Sequence, residues 1–196
     1  MTANILVIAG SLRDGSFNIS LANAAQTELT RLGAQVTRVD LAQYPLPLMD
    51  ENLEARSGAP EAAIKLAEII ASHDGLFIAS PEYNASIPPL VKNTIDWVSR
   101  VKTDDGKPVS AFRGLTVALG AASDGALGGI RCLYHLRAVL MNVGAQIVTE
   151  QCAVSRAASG FAEDGSLKDD RQAAMLRSAC QALLEHAPYG RGRMAG

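Results

Sequence analysis

Cysteine, histidine and aromatic residues are scarce in this chain of 196 residues, and each scarcity removes a class of function. The three cysteines, Cys132, Cys152 and Cys180, form no CxxC pair and no metal-ligand spacing. So few, so far apart, they support neither a disulfide framework nor a thiolate metal centre, and they read as small buried side chains. Cys132 alone, beside Arg131 and close to a glycine-rich stretch, has a setting in which a thiol could be reactive. His73, His135 and His186 stand singly, with no carboxylate or hydroxyl nucleophile at a recognisable spacing. No metal site is expected. An excess of positive charge is also missing: the formal net charge is −2, which argues against nucleic acid or an anionic membrane as the main partner. No apolar run approaches the roughly 20 residues needed to span a bilayer. No basic segment precedes the first apolar run, so no signal peptide is expected and a cytoplasmic location is. The paired carboxylates Asp104-Asp105 and Asp169-Asp170 read as solvated loop and helix-start charges.

What the chain has instead is an almost unbroken alternation of strand-like and helix-like segments. "NILVIAG" (4–10), "GLFIASPEY" (75–83) and "GLTVALGAA" (114–122) are near-continuous apolar runs, as expected of strands covered on both faces. "AQVTRVDLA" (34–42) alternates and suits a strand nearer an edge, and "AQIVTEQ" (145–151) is the last strand. Between them, apolar residues recur at helical spacing: Leu21, Ala25, Leu29 and Leu32, then Ile64, Ala67, Ile70 and Ala71, then Val91, Ile95 and Val98. Gly33 and Gly144 are placed to end helices. A final helix over about 169–186 would pack Met175, Leu176, Leu183 and Leu184. "YPLPLMDEN" is too rich in proline for an interior strand. "KTDDGKPVSAFRG" reads as a surface loop. This pattern predicts an α/β protein: a three-layer, flavodoxin-like, doubly wound fold with a five-stranded parallel sheet in the order 2-1-3-4-5. One domain is expected over 1–188, with a mobile glycine-rich tail over 189–196.

In such a sheet the ligand lies outside the carboxyl ends of the strands, where the order reverses. Three loops of small, polar and glycine residues follow the three central strands. The first is "GSLRDGSFN" (10–18). Gly10 and Gly15 have P-loop separation, but Ser16 stands where the lysine must be and Phe17 where the metal-binding hydroxyl must be. Ser11-Leu12 breaks the dinucleotide pattern GxGxxG. The loop still suits a single phosphate group. Ser11 and Ser16 offer hydroxyls, Asn18 an amide and Arg13 a charge-assisted bond, and a helix starting about Ser16 points free N–H groups the same way. The second loop, "SPEYNASIPP", is stiffened by Pro81 and Pro88. Backbone groups around Glu82 to Asn84 could meet the polar edge of a flat heteroaromatic, with Tyr83 over its face; equally, the prolines could only shape a turn. The third, "AASDGALGG", could let the backbone approach a ring, or be an ordinary turn before a helix.

Together, "GSLRDGSFN" and "SPEYNASIPPLVKNTIDW" resemble the NADPH-dependent FMN reductase family, which includes bacterial quinone, chromate and azo-dye reductases. "SDGALGGIR" is similar to that family's third flavin loop. The resemblance covers nearly the whole chain. It implies non-covalent FMN, a homodimer or homotetramer, and NADPH or NADH as hydride donor to a quinone, flavin or similar acceptor in a ping-pong cycle. It places the FMN phosphate on Ser11, Arg13, Ser16, Phe17 and Asn18. It places the isoalloxazine against Pro81, Glu82, Tyr83 and Asn84, and more weakly against Ser123 and Gly125. The flavin carries the redox chemistry, so no protein acid or base is required. Two other readings share the fold: a flavodoxin-type electron carrier, and a flavin-binding regulatory module. Arg13 and the near-neutral charge argue against the first. The second would need a large apolar or charged interaction surface, which the sequence does not show, although the helix after "SIPPLVKN" could use Trp97 at a subunit interface or half-bury it against its own domain.

Overall fold

The computed structural model describes residues 2–104 and 106–190. In chain order the elements are β1 (Asn4–Ala9), α1 (Phe17–Arg31), β2 (Gln35–Val39), a 3-10 turn (Leu41–Gln43), α2 (Glu51–Ser57), α3 (Glu61–Ala71), β3 (Gly75–Ala79) and α4 (Pro89–Arg100). A small antiparallel hairpin follows, β4 (Thr103–Asp104) with β5 (Lys107–Pro108). Then come β6 (Thr116–Ala122), α5 (Ile130–Asn142), β7 (Gln146–Val154), α6 (Ala157–Gly160) and α7 (Asp170–Gly190). The main sheet runs β2-β1-β3-β6-β7, all parallel. With the hairpin set aside, this is the expected flavodoxin-like order 2-1-3-4-5. The last helix runs on to Gly190, and residues 191–196 of the expected tail lie outside the described residues, as does Asp105.

The apolar runs become strands buried on both faces because side chains alternate across a sheet. In β1, Leu6 and Ile8 join a core layer with Ile70, Ile95, Trp97 and Leu133, while Ile5, Val7 and Ala9 join a second layer with Leu21, Leu29, Cys180 and Leu183. Helices α3, α4 and α5 cover one face, α1 and α7 the other. Gly33 and Gly144 end α1 and α5 as expected: Ala34 N–H reaches back to Leu29 O and Ala145 N–H to Leu140 O, each 3.0 Å, the wrapped C-terminal bonds of a Schellman motif.

Four features depart from the sequence reading. Helix α2 lies beyond the proline-rich stretch, with Asp50 as its N-cap accepting from Asn52 N–H at 2.8 Å. The supposed surface loop contains the β4–β5 hairpin. Strand β7 extends to Val154 and is bulged: Val148, Thr149 and Glu150 stand where β6 has only Ala118. Arg137 of α5 fills the bulge, donating to Val148 O at 2.8 Å and Gln151 Oε1 at 3.1 Å. Such a bulge blunts an edge strand against further pairing. Trp97 is fully buried in its own chain, its indole N–H donating to Pro47 O at 2.7 Å. It therefore supplies no interaction surface; with Asn93, which bonds Pro47 O and Met49 N–H, it pins the proline-rich segment to α4.

Candidate active site

The three loops leave adjacent strands, and each begins with one more ladder bond to its neighbour. Gly10 N–H donates to Ala79 O (2.8 Å), Ser80 N–H to Gly120 O (2.8 Å) and Ser123 N–H to Val154 O (3.0 Å). The loops therefore stand in a row at one sheet edge in the order of the strands.

In the first loop Ser16 caps α1, its Oγ accepting from Asn18 N–H at 3.3 Å, and Ser11 Oγ accepts from Arg13 N–H at 3.3 Å. Both serines are buried. Arg13 is exposed; its guanidinium lies 5.7 Å from the centroid of the half-buried Phe17 ring, which limits where the charge can point. Asn18 differs from the sequence expectation. Its carboxamide turns inward: Nδ2 donates to Ala122 O and Oδ1 accepts from Ala122 N–H, both at 2.9 Å. The reason is that Ala122, at the buried end of β6, has polar groups that need partners there. Asn18 thus fastens the first turn of α1 to the start of the third loop.

The second loop folds into a two-residue hairpin turn. Tyr83 and Ser86 exchange both backbone bonds at 3.0 Å, and Asn84 (φ 50) and Ala85 (φ 64) between them are both left-handed. That is the type I′ arrangement. Asn tolerates it; Ala pays about 1 kcal/mol of strain. The backbone groups of Tyr83 are thus turned across the hairpin, and the exposed tip is Asn84 with the Tyr83 ring. Pro81 is buried.

Glu82 does what no spacing rule announced. One carboxylate oxygen accepts from the backbone N–H groups of Arg131 (3.1 Å) and Cys132 (3.2 Å), in the first turn of α5. The other accepts from the Arg131 side chain, with Nε at 2.8 Å and a second bond from Nη2. Burial pushes this carboxyl up. The Arg131 guanidinium and the helix N–H groups outweigh it and hold it below the ordinary carboxylate range. Glu82 is therefore a charged brace between the second loop and α5. A signal was available: a cation in the first turn of a helix opposes the helix dipole and asks for a carboxylate partner. One turn along α5, His135 Nδ1 lies 3.0 Å from Ser86 Oγ, so the helix grips the turn on both sides.

In the third loop Ser123 Oγ accepts from Gly125 N–H at 3.2 Å, and Gly125 is exposed. Gly128 (φ 60) has a steric reason as well: a Cβ there would lie 2.9 Å from backbone atoms of Ala153, Val154 and Ser155. Beside the loops, Cys132 is fully buried, with Sγ 3.3 Å from Ser80 Oγ, and burial raises its pKa. Burial likewise pushes Cys152 up to about 12 and raises Cys180. None of the three is an activated thiol.

The donor set fits an FMN. A phosphate would meet the α1 N-terminus, Ser11, Ser16 and Arg13; a ring would meet the hairpin tip and the small residues of the third loop. The NADPH-dependent FMN reductase family matches residues 3–159. An NAD(P)H-dependent FMN reductase of Pseudomonas aeruginosa is 35% identical over 181 residues, covering 91% of this chain and 92% of its own. A quinone reductase of Escherichia coli is 34% identical over 148 residues, 74% of this chain and 73% of its own. Among solved structures, the flavoenzyme NAD(P)H:(acceptor) oxidoreductase of Paracoccus denitrificans superposes with a TM-score of 0.78 at 26% identity, over 96% of this chain and 99% of that one. With loops, topology and relatives in agreement, the chain belongs to the NADPH-dependent FMN reductase family and is an oxidoreductase that works with FMN and NAD(P)H.

Proposed function

We propose that this enzyme passes reducing equivalents from NAD(P)H to a quinone, a flavin or a similar small acceptor, with FMN held across the three loops. The observation that carries the reading is the row of loops: a helix N-terminus capped by Ser16 after β1, then a hairpin turn after β3 and a small-residue loop after β6. FMN, when bound, would supply the redox chemistry that links the nicotinamide to the acceptor. The chain's own residues bind and orient. Ser11, Ser16 and Arg13, with the N–H groups at Phe17, hold the phosphate. Asn18 keeps the phosphate end and the third loop in fixed relation. Pro81, Tyr83 and Asn84 border the ring, Glu82 fixes their position through α5, and Ser123 and Gly125 close the far side. Donor and acceptor use one open face in turn, which gives ping-pong kinetics. A cytoplasmic location and assembly into a homodimer or homotetramer belong to the same reading. The exposed Leu127, Tyr134 and Met141 on and beside α5 support the second.

The test is an absorption spectrum of the purified protein before and after anaerobic NADPH. Bands of oxidised flavin that bleach on addition are expected. Bound FMN that neither NADPH nor NADH bleaches would turn the assignment toward an electron carrier. Failure to bind FMN after reconstitution would remove the loop assignment.

A further inference from the structure

The row of loops continues one strand further. Beyond the end of β7, between it and the start of α7, lies a cavity of about 320 Å³ whose walls include Ala126 of the third loop, Ser155, Arg156, Ser159, Lys168 and Gln172. It adjoins the third loop directly, since Ala157 N–H donates to Ser123 O at 3.2 Å. Three observations set it apart. Arg156 and Lys168 both line it, and neither forms an ion pair with a carboxylate among the described residues. The carboxylate on its wall, Asp169, accepts from the Gln172 backbone N–H at 2.8 Å at the start of α7. Arg156 also sits in the left-handed region (φ 50, ψ 43), where glycine or asparagine would cost less. A strained backbone at a long cationic side chain points to a use for that side chain. Finally, Gln172 Nε2 donates to Ser155 Oγ at 3.2 Å, which leaves its Oε1 buried without a partner. That carboxamide is held beneath the cavity wall by Ser155, which fixes the floor under the two cations.

We propose that this cavity takes the 2′-phosphorylated adenosine end of NADPH, with the phosphate on Arg156 and Lys168. The inference rests on the functional reading above and adds the basis of nucleotide choice to it. Strand order supports it. The phosphate loop stands at β1, the ring-bordering loops at β3 and β6, and the cavity at β7. Neighbouring strands are about 4.8 Å apart, so β6 and β7 stand one such step apart, a span shorter than an extended dinucleotide. NADH lacks the 2′-phosphate dianion and has no equivalent group to place on the two cations, while the diphosphate is common to both nucleotides.

The variants are Arg156→Gly, Lys168→Met and the pair. Arg156→Gly removes the charge and relieves the backbone, so its thermal midpoint should hold or rise, which separates a binding effect from unfolding. In the double variant kcat/KM for NADPH should fall about ten- to a hundredfold, the worth of a charge-assisted bond or two, while the NADH value holds. A second readout needs no turnover: calorimetric titration of the apoprotein and the FMN-loaded protein with adenosine 2′,5′-bisphosphate, with 5′-AMP and inorganic phosphate as controls. The bisphosphate should bind the parent protein and not the double variant. Equal loss with both nucleotides, an unchanged NADPH-to-NADH ratio, or inorganic phosphate binding as tightly as the bisphosphate would each overturn the proposal. If NADPH bleaches the flavin and the ratio stays put, the cavity assignment alone fails. If neither nucleotide bleaches it, the functional reading fails, and the titration still decides the cavity.

Discussion

Asn18 and Glu82 show how single side chains convert three separate loops into one site. Asn18 uses both ends of its carboxamide on Ala122. Asn18→Ala leaves a buried N–H and a buried C=O unpaired, so a loss of about 2–4 kcal/mol is expected in urea denaturation of the apoprotein, with weaker FMN binding alongside. Glu82 makes a pH-dependent contribution whose sign can be worked out. Its folded pKa lies below that of a free glutamate, about 4.3. The unfolded chain therefore binds the proton first. The stabilisation is complete above that value and is lost as pH falls through the folded pKa. Urea midpoints measured from about pH 6 to pH 3 should fall less steeply in Glu82→Gln than in the parent. Parallel profiles would show that the Arg131 pair contributes nothing.

The hairpin at Tyr83–Ser86 is the element that matters most at the next scale. It holds Ala85 in a conformation that glycine would accept freely, between two contacts from α5. Ala85→Gly should raise the thermal midpoint, by an amount worth about 0.5–1 kcal/mol, while weakening FMN affinity, because the tip loses its preset shape. Stability and affinity moving together would argue that the strain has no part in binding. The hairpin also marks the limit of what the letters disclosed. Pro81 and Pro88 announced a stiff loop, but the left-handed pair was hidden, since alanine gives no sign of a type I′ turn. Helix α2 was legible in principle, through Asp50 as a cap and Glu51 and Glu54 in its first turn. The prolines before it masked that signal. The β7 bulge was not legible, because it depends on Arg137 arriving from another helix.

Over the whole molecule, the contacts that could be read in advance are those within one element or one loop. Alternation in β1 reports two core layers because a parallel strand is buried on both sides. The helix ends at Gly33 and Gly144 are local events. The ties that assemble the site span the chain: Asn18 to Ala122, Glu82 to Arg131, Trp97 to Pro47. They depend on which strands become neighbours, and no short-range pattern carries that. The last of these ties has an optical consequence. The chain has a single tryptophan, sealed in the layer of α3, α4 and α5, away from solvent. In the apoprotein its ultraviolet emission reports the scaffold, whereas a bound flavin in the loop row absorbs in the range of that emission and draws energy from it. The protein thus carries an energy donor in its frame and an acceptor in its site, and flavin loading can be followed without a label as loss of the tryptophan emission.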